Sequence, residues 1–386
     1  MKKSVLSLAL VSCFSSASGL LMQEAVYANS GAGGAGDGVY TKSAAAIFTN
    51  PAIMSHMGES LTTVNTLLLD LELAYSDESQ ASGNSTTNTK MPVLGAFFAR
   101  QVSENIHTGL ALNVTGGSGV DYGSDWSGAS YLESAFLSAV QINPSLSYRL
   151  NEHLSVGAGI QFGYALLTAE TSALEVSDLA TDTGWGYNIG AVYHMDKWAA
   201  GLSYRSQVDF DFDTTAKVKS GPLTNGPTGE LTSSLLTPAI VDLSGSYMLT
   251  NKLALLGTIQ WHDWSKMNET PLALSGDNRS LEGVITRDWE DVWRYSVGTE
   301  YQLSDDWYLK AGFSYETSPQ DDPEKQWVDL PVGEAYRYSV GASYAFDDMT
   351  LDVFYEYADL GIVDIDNVVQ GSFDGKIHFV GVNFLL

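Results

Sequence analysis

Five basic residues of this chain fall in the polar phase of segments that alternate between apolar and polar residues. They are Arg100, Arg205, Arg294, Lys310 and Arg337. In a strand the polar phase points to one face, and a cation on that face can bind a carboxylate or another anionic group. The alternative is that each cation pairs with an acid of the same phase, for which Glu300, Glu316 and Glu356 are available. Because Arg294, Lys310 and Arg337 fall on three successive segments, we expect them to converge.

Histidine is the other residue type that could carry chemistry. Nucleophilic catalysis needs a histidine beside a serine or an aspartate on one polar face. His262, followed by Asp263, is the only such pair near a rim where a site would open, and a solvated or interfacial histidine explains all six histidines more simply. The chain has no Walker A motif, no dinucleotide-binding glycine fingerprint and no His-Glu-x-x-His pair. We therefore expect no catalytic residue and no enzyme.

The net charge and the cysteine content disfavour or exclude further kinds of partner and site. The chain has 46 acidic and 19 basic residues, a net charge of −27, which disfavours nucleic acid as a partner. Its single cysteine excludes an internal disulfide and a cysteine-rich metal site. Acidic clusters at Asp321-Asp322, Asp347-Asp348 and Asp364-Ile365-Asp366 offer oxygen ligands for Ca²⁺ or Mg²⁺. Such turns are usually only solvated, so we expect no metal and no cofactor.

The N-terminus has the composition of a signal peptide. Basic residues precede the apolar stretch Val5–Phe14, and Val26-Tyr27-Ala28 suits the positions before a cleavage site. We therefore expect residues 1–28 to be removed on export. In an alternative interpretation, Leu10-Val11-Ser12-Cys13 is a lipobox and Cys13 becomes a lipidated N-terminus. No later apolar run reaches the length of a transmembrane helix, so only a barrel could span a membrane.

Period-2 alternation runs through the rest of the chain. From Leu154 to Phe162, for example, apolar residues alternate with Ser, Gly and Gln, which is the pattern of a strand with one apolar face. Fourteen such segments are predicted, at about 61–76, 91–103, 105–116, 133–150, 152–170, 184–195, 197–213, 238–250, 252–264, 291–303, 306–317, 335–346, 349–361 and 375–386.

The connections between these segments alternate between two kinds. Tight turns lie near residues 104, 151, 196, 251, 304 and 347, and long polar loops lie near 77–90, 117–132, 171–183, 214–237, 265–290, 318–334 and 362–374. An outer-membrane barrel has short periplasmic turns and long extracellular loops in this order. Tyrosines of the apolar phase precede five of the tight turns, as an interfacial aromatic girdle requires: Tyr148, Tyr193, Tyr247, Tyr301 and Tyr344. The sequence therefore predicts an all-β, fourteen-stranded antiparallel transmembrane barrel.

A fourteen-stranded barrel is too wide for its own side chains to fill. The Gly- and Ala-rich residues 29–60 precede the first strand and are long enough to fold inside as a plug. Three features then carry a resemblance: Gly31 to Gly36 followed by Thr49-Asn50-Pro51-Ala52, the tryptophan-rich run from Trp289 to Tyr301, and Thr317-Ser318-Pro319. Together they resemble the FadL-type (OMPP1/FadL/TodX) outer-membrane transporters of long-chain fatty acids and hydrocarbons.

The resemblance implies a barrel over residues 61–386, closed by a hatch over residues 29–60. It implies that Asn50, Pro51 and Ala52 form the hatch motif. It also implies that a kink in the third strand opens a lateral exit, for which Gly116 and Gly117 are the candidates. The five cations listed above become candidates for the head group of the ligand.

The expected function is facilitated diffusion of long-chain fatty acids or similar hydrophobic compounds across the outer membrane of a Gram-negative cell. The expected surroundings are outer-membrane lipid and lipopolysaccharide, the expected state is a monomer, and fatty acids and aromatic hydrocarbons fit the sequence equally well. Two alternatives are a general porin for polar solutes and an outer-membrane lipid hydrolase.

Overall fold

The computed structural model describes residues 21–79, 83–172, 174–176, 179–219, 228–276 and 279–386. Within these ranges the strands form one continuous antiparallel sheet. They are β1 (Ser60–Asp77), β2 (Ser85–Ser103), β3 (Ile106–Asp121), β4 (Ser134–Arg149), β5 (Leu154–Glu170), β6 (Leu174–Val176), β7 (Ala180–His194), β8 (Trp198–Arg205), β9 (Val208–Val218), β10 (Thr228–Thr237), β11 (Ile240–Met248), β12 (Leu253–His262), β13 (Glu269–Gly276), β14 (Arg279–Thr286), β15 (Val292–Gln302), β16 (Trp307–Glu316), β17 (Ala335–Ala345), β18 (Thr350–Asp366) and β19 (Gln370–Leu385).

Fourteen of these strands follow one another around a closed ring. The order is β1, β2, β3, β4, β5, β7, β8, β11, β12, β15, β16, β17, β18 and β19. The ring closes because β19 pairs with β1, from Thr63↔Leu385 to Asp77↔Gly371. The fourteen strands predicted from alternation are these fourteen, so the predicted barrel is confirmed.

The two faces of the barrel wall differ as the alternation predicts. In β5, Val156 and Phe162 are exposed on the outside, whereas Ser155 and Gln161 are buried on the inside. The row of tyrosines also points outward: Tyr148, Tyr193, Tyr247 and Tyr301 are each 40–50% exposed. The fifth, Tyr344, is half-buried because its ring packs against Trp307, with centroids 4.9 Å apart. The outer surface is therefore apolar with an aromatic row near the end that carries the short turns.

The long connections hold more strand than the sequence predicts. The expected loop 214–237 contains parts of the β9–β10 hairpin, and the expected loop 265–290 contains the β13–β14 hairpin. The expected loop 362–374 narrows to residues 367–369, since β18 and β19 continue on either side. These extensions combine Thr, Ser and acidic residues with a few buried apolar residues, such as Leu231, Leu272 and Leu274. Their apolar runs are too short to reveal them in sequence. Backbone pairing nonetheless satisfies their polar groups.

The N-terminal segment, residues 21–59, folds as short helical turns against the inner face of the ring. It contains 3₁₀ turns at Gln23–Ala25, Ser30–Ala32, Asp37–Val39 and Pro51–His56 and one short α-helix, α1 (Ala46–Thr49). Further 3₁₀ turns at Trp264–Met267 and Pro323–Lys325 lie in the long connections. None of the helices in the described part of the chain is long and apolar enough to cross a membrane.

Small residues allow this segment to approach the wall closely. A Cβ added to Gly341 on β17 would lie 2.8 Å from the Gly31 Cα, and a Cβ added to Gly298 on β15 would lie 2.9 Å from the Ala32 carbonyl oxygen. Residues 21–28, which the sequence analysis placed in the signal peptide, are part of this packing: Ala25, Val26, Tyr27 and Ala28 are all at most 4% exposed. Most of residues 21–57 is buried between the strands of the ring.

Candidate ligand-binding site

The Asn50-Pro51-Ala52 motif fixes one side of the N-terminal segment to the wall. Asn50 begins the 3₁₀ turn and accepts a hydrogen bond from the Ala52 backbone at 3.1 Å, as a helix-capping asparagine does. Pro51 occupies the first position of the turn, where a missing N–H costs nothing. The Asn50 side chain also donates to the Ala191 carbonyl on β7 at 3.2 Å. A Cβ at Gly157 on β5 would lie 2.5 Å from the Ala52 nitrogen, so only glycine fits under this turn.

Buried ion pairs fix the segment to the opposite strands. Arg337 on β17 lies 3.0 Å from Glu24 of the segment and 3.5 Å from Glu316 on β16, and all three side chains are 3% exposed. Glu356 on β18 lies 4.0 Å from the same guanidinium. A buried pair of this kind is costly to break, because the remaining charge has no other solvation. Arg337 therefore has carboxylate partners of its own.

Lys310 is also engaged. Its ammonium donates to Asp352 on β18 at 2.8 Å, and both side chains are at most 6% exposed. Lys310 and Arg294 do not meet at one point, since Lys310 is opposite Glu300 in the ladder whereas Arg294 is opposite Glu316. Of the three cations expected to converge, Arg294 and Arg337 lie at one level and Lys310 lies nearer the short turns.

Arg294 on β15 is 2% exposed and has neutral hydrogen-bond partners. Its guanidinium donates to the Gln23 side-chain oxygen at 2.8 Å, to the Ser314 hydroxyl at 3.3 Å and to the Tyr27 hydroxyl. Among the residues that the structure describes, none of the carboxylates forms an ion pair with it. Its hydrogen bonds therefore go to neutral groups, while Glu24 and Glu316 lie near enough to act on its charge electrostatically.

Arg205 ends β8 and is also buried, at 8% exposure. It donates to the Gln141 side-chain oxygen at 2.7 Å, to the Gln161 side chain and to the Phe48 carbonyl at 2.5 Å. The guanidinium carbon lies 3.7 Å from the centre of the Phe48 ring. Within the described ranges Arg205 likewise has no carboxylate partner. Neutral partners hold its orientation without cancelling its charge.

Arg205 and Arg294 line one cavity between the N-terminal segment and the barrel wall. The apolar part of its lining comes from the N-terminal segment and from the long-loop end of β11, and includes Leu21, Met22, Val26, Phe48, Pro238 and Ile240. Two buried acids, Asp37 and Asp242, also border it. Asp37 accepts hydrogen bonds from the backbone of Ala28 and Asn29, each at 3.0 Å. A mostly apolar cavity with a few fixed polar groups is the usual form of a small-molecule site.

Arg100 does not take part in this arrangement. It lies on the outer face of β2 and is exposed, on the same face as Leu94 and Phe98. The sequence analysis placed it inside because β2 is apolar on both faces: Phe97 and Phe98 are consecutive, and Phe97 is the buried one. The inner face of β2 is apolar because it packs on the N-terminal segment near Ala25. The alternation pattern therefore does not show which residues of β2 point into the barrel.

The third strand is irregular at the predicted glycines. The β3–β4 register shifts between Val114 and Gly116, so Thr115 forms a bulge. Met22 of the N-terminal segment donates its backbone N–H to the Thr115 carbonyl at 3.0 Å. A Cβ at Gly117 would lie 3.4 Å from the end of the Met22 side chain. The bulge and the N-terminal segment are thus in direct contact beside the cavity.

His262 is buried at the long-loop end of β12 and contacts amides. Its Nε2 lies 3.2 Å from the Gln260 side-chain oxygen and 3.3 Å from the Gln23 amide nitrogen. In the described part of the chain it has no hydrogen bond to a serine or a carboxylate. No cluster of His, Cys, Asp or Glu suited to a metal ion occurs among the described residues.

Two groups of cavity residues are not recognisable from the alternation pattern or the motifs of the sequence. Gln141 and Gln161 hold Arg205, but an uncharged residue in the polar phase gives no signal of that role. Residues 21–27 of the N-terminal segment were missed because they were assigned to the signal peptide. Gln23-Glu24, a polar pair just after Leu20-Leu21-Met22, was the available signal that this stretch belongs to a folded structure.

Comparison with known proteins agrees with this architecture. The family model described as "Outer membrane protein transport protein (OMPP1/FadL/TodX)" matches residues 8–379. Outer membrane protein P1 of Haemophilus influenzae is 24% identical, and the match covers 92% of this chain and 89% of that protein. A protein of Escherichia coli O6:H1 named long-chain fatty acid transport protein is 23% identical, and the match covers 98% of this chain and 96% of that protein.

Solved structures share the fold. A FadL homologue from Pseudomonas aeruginosa superimposes with a TM-score of 0.82 at 17% identity, covering 97% of this chain and 98% of that one. The toluene transporter TodX of P. putida superimposes with a TM-score of 0.74 at 16% identity, and the match covers 93% of this chain and 97% of that one. The chain therefore belongs to the outer membrane transport protein family that includes OMPP1, FadL and TodX, and it is a protein of the Gram-negative outer membrane.

Proposed function

We propose that this barrel carries long-chain fatty acids, or hydrophobic compounds of similar shape, across the outer membrane by facilitated diffusion. The observation that carries the proposal is the cavity in which Arg205 is buried without an ion-pair partner among the described residues, next to an apolar lining. Burial of each CH₂ group contributes about 0.8 kcal/mol, so a long acyl chain gains roughly 10 kcal/mol. The arginine then orients a carboxylate, and no energy input is needed.

The N-terminal segment acts as the hatch in this proposal. Its two anchors, the Asn50-Pro51-Ala52 turn and the Glu24–Arg337 pair, hold it across the lumen. A segment packed in this way obstructs steady flow of water and ions. That supports a transporter over a general porin for polar solutes.

The β3 bulge is the proposed lateral exit, with Gly116 and Gly117 at its centre. A bulge leaves one residue outside the ladder, so a wall can open there with the loss of few hydrogen bonds. Met22 fills the inner side of the bulge. Movement of the N-terminal segment would therefore open the route from the cavity to the surrounding lipid.

The protein acts in this proposal as a monomer, without cofactor and without catalysis. Each chain closes its own barrel through β1 and β19, so no second copy is required. The exposed apolar wall contacts outer-membrane lipid, with lipopolysaccharide in the outer leaflet. The amide partners of His262 do not activate it as a general base, which argues against a lipid hydrolase.

Uptake by cells tests the proposal. Cells without a fatty-acid transporter of their own would express the protein, and uptake of labelled oleate and labelled toluene would be measured against vector alone. We expect saturable oleate uptake and little steady conductance of the purified protein in planar bilayers. Steady conductance with non-saturable uptake would identify a porin, and release of fatty acid from phospholipid that is lost in His262→Ala would identify a hydrolase. Saturable toluene uptake without oleate uptake would restrict the substrate to hydrocarbons.

A further inference from the structure

A second cavity opens at the end of the barrel that carries the short turns. It has a volume of about 320 Å³ and lies between the N-terminal segment and the inner faces of β11, β12 and β15. The turns after β7 and β11 form part of its mouth, with Lys197 and Lys252. The short turns of an outer-membrane barrel face the periplasm. This cavity, the periplasmic vestibule, is therefore reached from the periplasmic side.

One turn of the N-terminal segment separates the vestibule from the cavity that holds the two buried arginines. On β12, Thr258 lines the arginine cavity, whereas Leu256, two residues nearer the short turn, lines the vestibule. The Thr258 hydroxyl accepts a hydrogen bond from the Gly36 backbone at 2.9 Å, and the Ser244 hydroxyl accepts one from the Gly38 backbone at 3.1 Å. The two cavities thus lie on opposite sides of this turn.

Part of the vestibule wall is apolar. Val39 of the N-terminal segment, Leu256 and Met248 line it. Met248 on β11 has the same phase as Ser244, which contacts the N-terminal segment, so its side chain is on the inner face of the wall. It is nonetheless 37% exposed. Covering an exposed apolar side chain with the apolar part of a ligand is favourable.

The charged residues of the vestibule favour an anion. Three lysines and two carboxylates line it: Lys42, Lys197, Lys252, Asp196 and Glu300. Glu300 is already engaged, because it pairs with Lys42 and accepts a hydrogen bond from the Tyr40 hydroxyl at 2.9 Å. Lys197 and Lys252 are exposed, and in the described part of the chain neither is in an ion pair. An excess of lysine at one cavity is notable in a chain with a net charge of −27, and it attracts anions locally.

We propose that the periplasmic vestibule is a second binding site, which takes an amphiphile with one apolar chain and a carboxylate. The apolar chain packs against Met248 and Leu256, and the carboxylate lies at Lys197 and Lys252. The choice of a fatty acid as this amphiphile rests on the proposed function, whereas the site rests on the cavity and its charges. Because the two cavities lie on opposite sides of the N-terminal segment, one barrel can hold two ligands at once.

Photolabelling tests the proposal. The purified protein would be placed in lipid nanodiscs without detergent and irradiated with a palmitic acid analogue that carries a diazirine at the end of its chain. We expect mass spectrometry to find label at Met248, Leu256 or Tyr308 in the vestibule and at Phe48 or Ile240 in the arginine cavity, both reduced by excess oleate. Label confined to the arginine cavity would overturn the second site and leave the proposed function standing. Label confined to the vestibule would contradict the proposed function alone, and no label at either cavity would overturn both.

Two variants separate the parts of the proposed site. Replacing both rim lysines, Lys197→Gln with Lys252→Gln, should weaken vestibule labelling about fivefold at a probe concentration below saturation and leave the arginine cavity unchanged. The matched control is Lys90→Gln with Lys266→Gln, two exposed lysines near the long loops, which should change neither. Met248→Trp fills the vestibule and should abolish label at Leu256 and Tyr308 only. Vestibule labelling that withstands the loss of both rim lysines, or that the methyl ester of the probe reproduces in full, would overturn the carboxylate site.

Discussion

Arg205→Gln should separate the recognition of a head group from the burial of an acyl chain. Arg205 is a buried cation that only neutral groups hold in place among the described residues. Glutamine keeps a polar amide on a similar side-chain stem and removes the charge. We expect the variant to fold, to keep the apolar cavity and to bind carboxylates less tightly.

The size of the effect follows from the type of bond. A hydrogen bond to a charged group contributes about 1.5–3 kcal/mol, and the Gln141 and Phe48 contacts already fix the guanidinium, so little ordering is required on binding. A loss of about 2 kcal/mol corresponds to about a 30-fold increase in Kd. Methyl oleate has the same chain without a carboxylate, so its Kd should change little.

Arg100→Gln is the matched control, because Arg100 is an exposed cation on the outer wall. Binding of oleate and methyl oleate to the purified proteins would be measured by displacement of a fluorescent fatty acid in detergent. Wild-type oleate affinity in Arg205→Gln would refute the assignment of Arg205 to the head group. Equal losses for oleate and methyl oleate would refute it as well, since that result would indicate a damaged cavity.

Two further predictions concern the anchors of the N-terminal segment. Glu24→Gln should lower the free energy of unfolding by about 3 kcal/mol, which is the lower end of the range for a broken buried ion pair. The lower end applies because other carboxylates remain near Arg337. The control Lys90→Gln breaks an exposed pair and should lower the free energy of unfolding by less than about 1 kcal/mol. Denaturant unfolding, followed by the heat-dependent gel shift, measures the stability of both variants. Equal losses of stability would contradict the role of the Glu24–Arg337 pair as an anchor of the N-terminal segment. Gly157→Ala should displace the Asn-Pro-Ala turn and expose the segment to protease, whereas Gly257→Ala, with its nearest contact at 3.9 Å, should leave it protected. Identical digestion patterns would contradict this.

The barrel was predictable because each membrane strand satisfies two environments at once. An apolar outer residue such as Phe162 and a polar inner residue such as Gln161 leave an alternating trace that helices do not give. The β13–β14 hairpin was not predictable in this way, because each of its strands is only eight residues long and its few apolar residues, such as the buried Leu272 and Leu274, form no alternating run as long as that of a membrane strand. The prediction that Arg100 on β2 points inward was wrong for the opposite reason. Lipid outside and the N-terminal segment inside both select apolar residues, so the two faces of β2 cannot be told apart in the sequence.

The site was less predictable than the fold. Alternation placed Arg205, Arg294, Lys310 and Arg337 on the inner face, but which of them have acidic partners depends on the three-dimensional arrangement. Glu24 illustrates this: its partner Arg337 is 313 positions away in the chain. No local pattern reports such a contact.

A disulfide between the N-terminal segment and β3 tests the central claim that ligand leaves when this segment moves. The disulfide between Met22→Cys and Gly117→Cys would span the space that the end of the Met22 side chain fills now, 3.4 Å from a Cβ at position 117. The one natural cysteine, Cys13, would be replaced by serine, and formation of the cross-link would be verified by mass before uptake is measured. Oleate uptake by cells that express the double variant would be measured before and after reduction, with each single variant as control. The account predicts that uptake stops in the oxidised form, with oleate binding retained, and returns on reduction. Undiminished uptake through the oxidised, cross-linked barrel would contradict it.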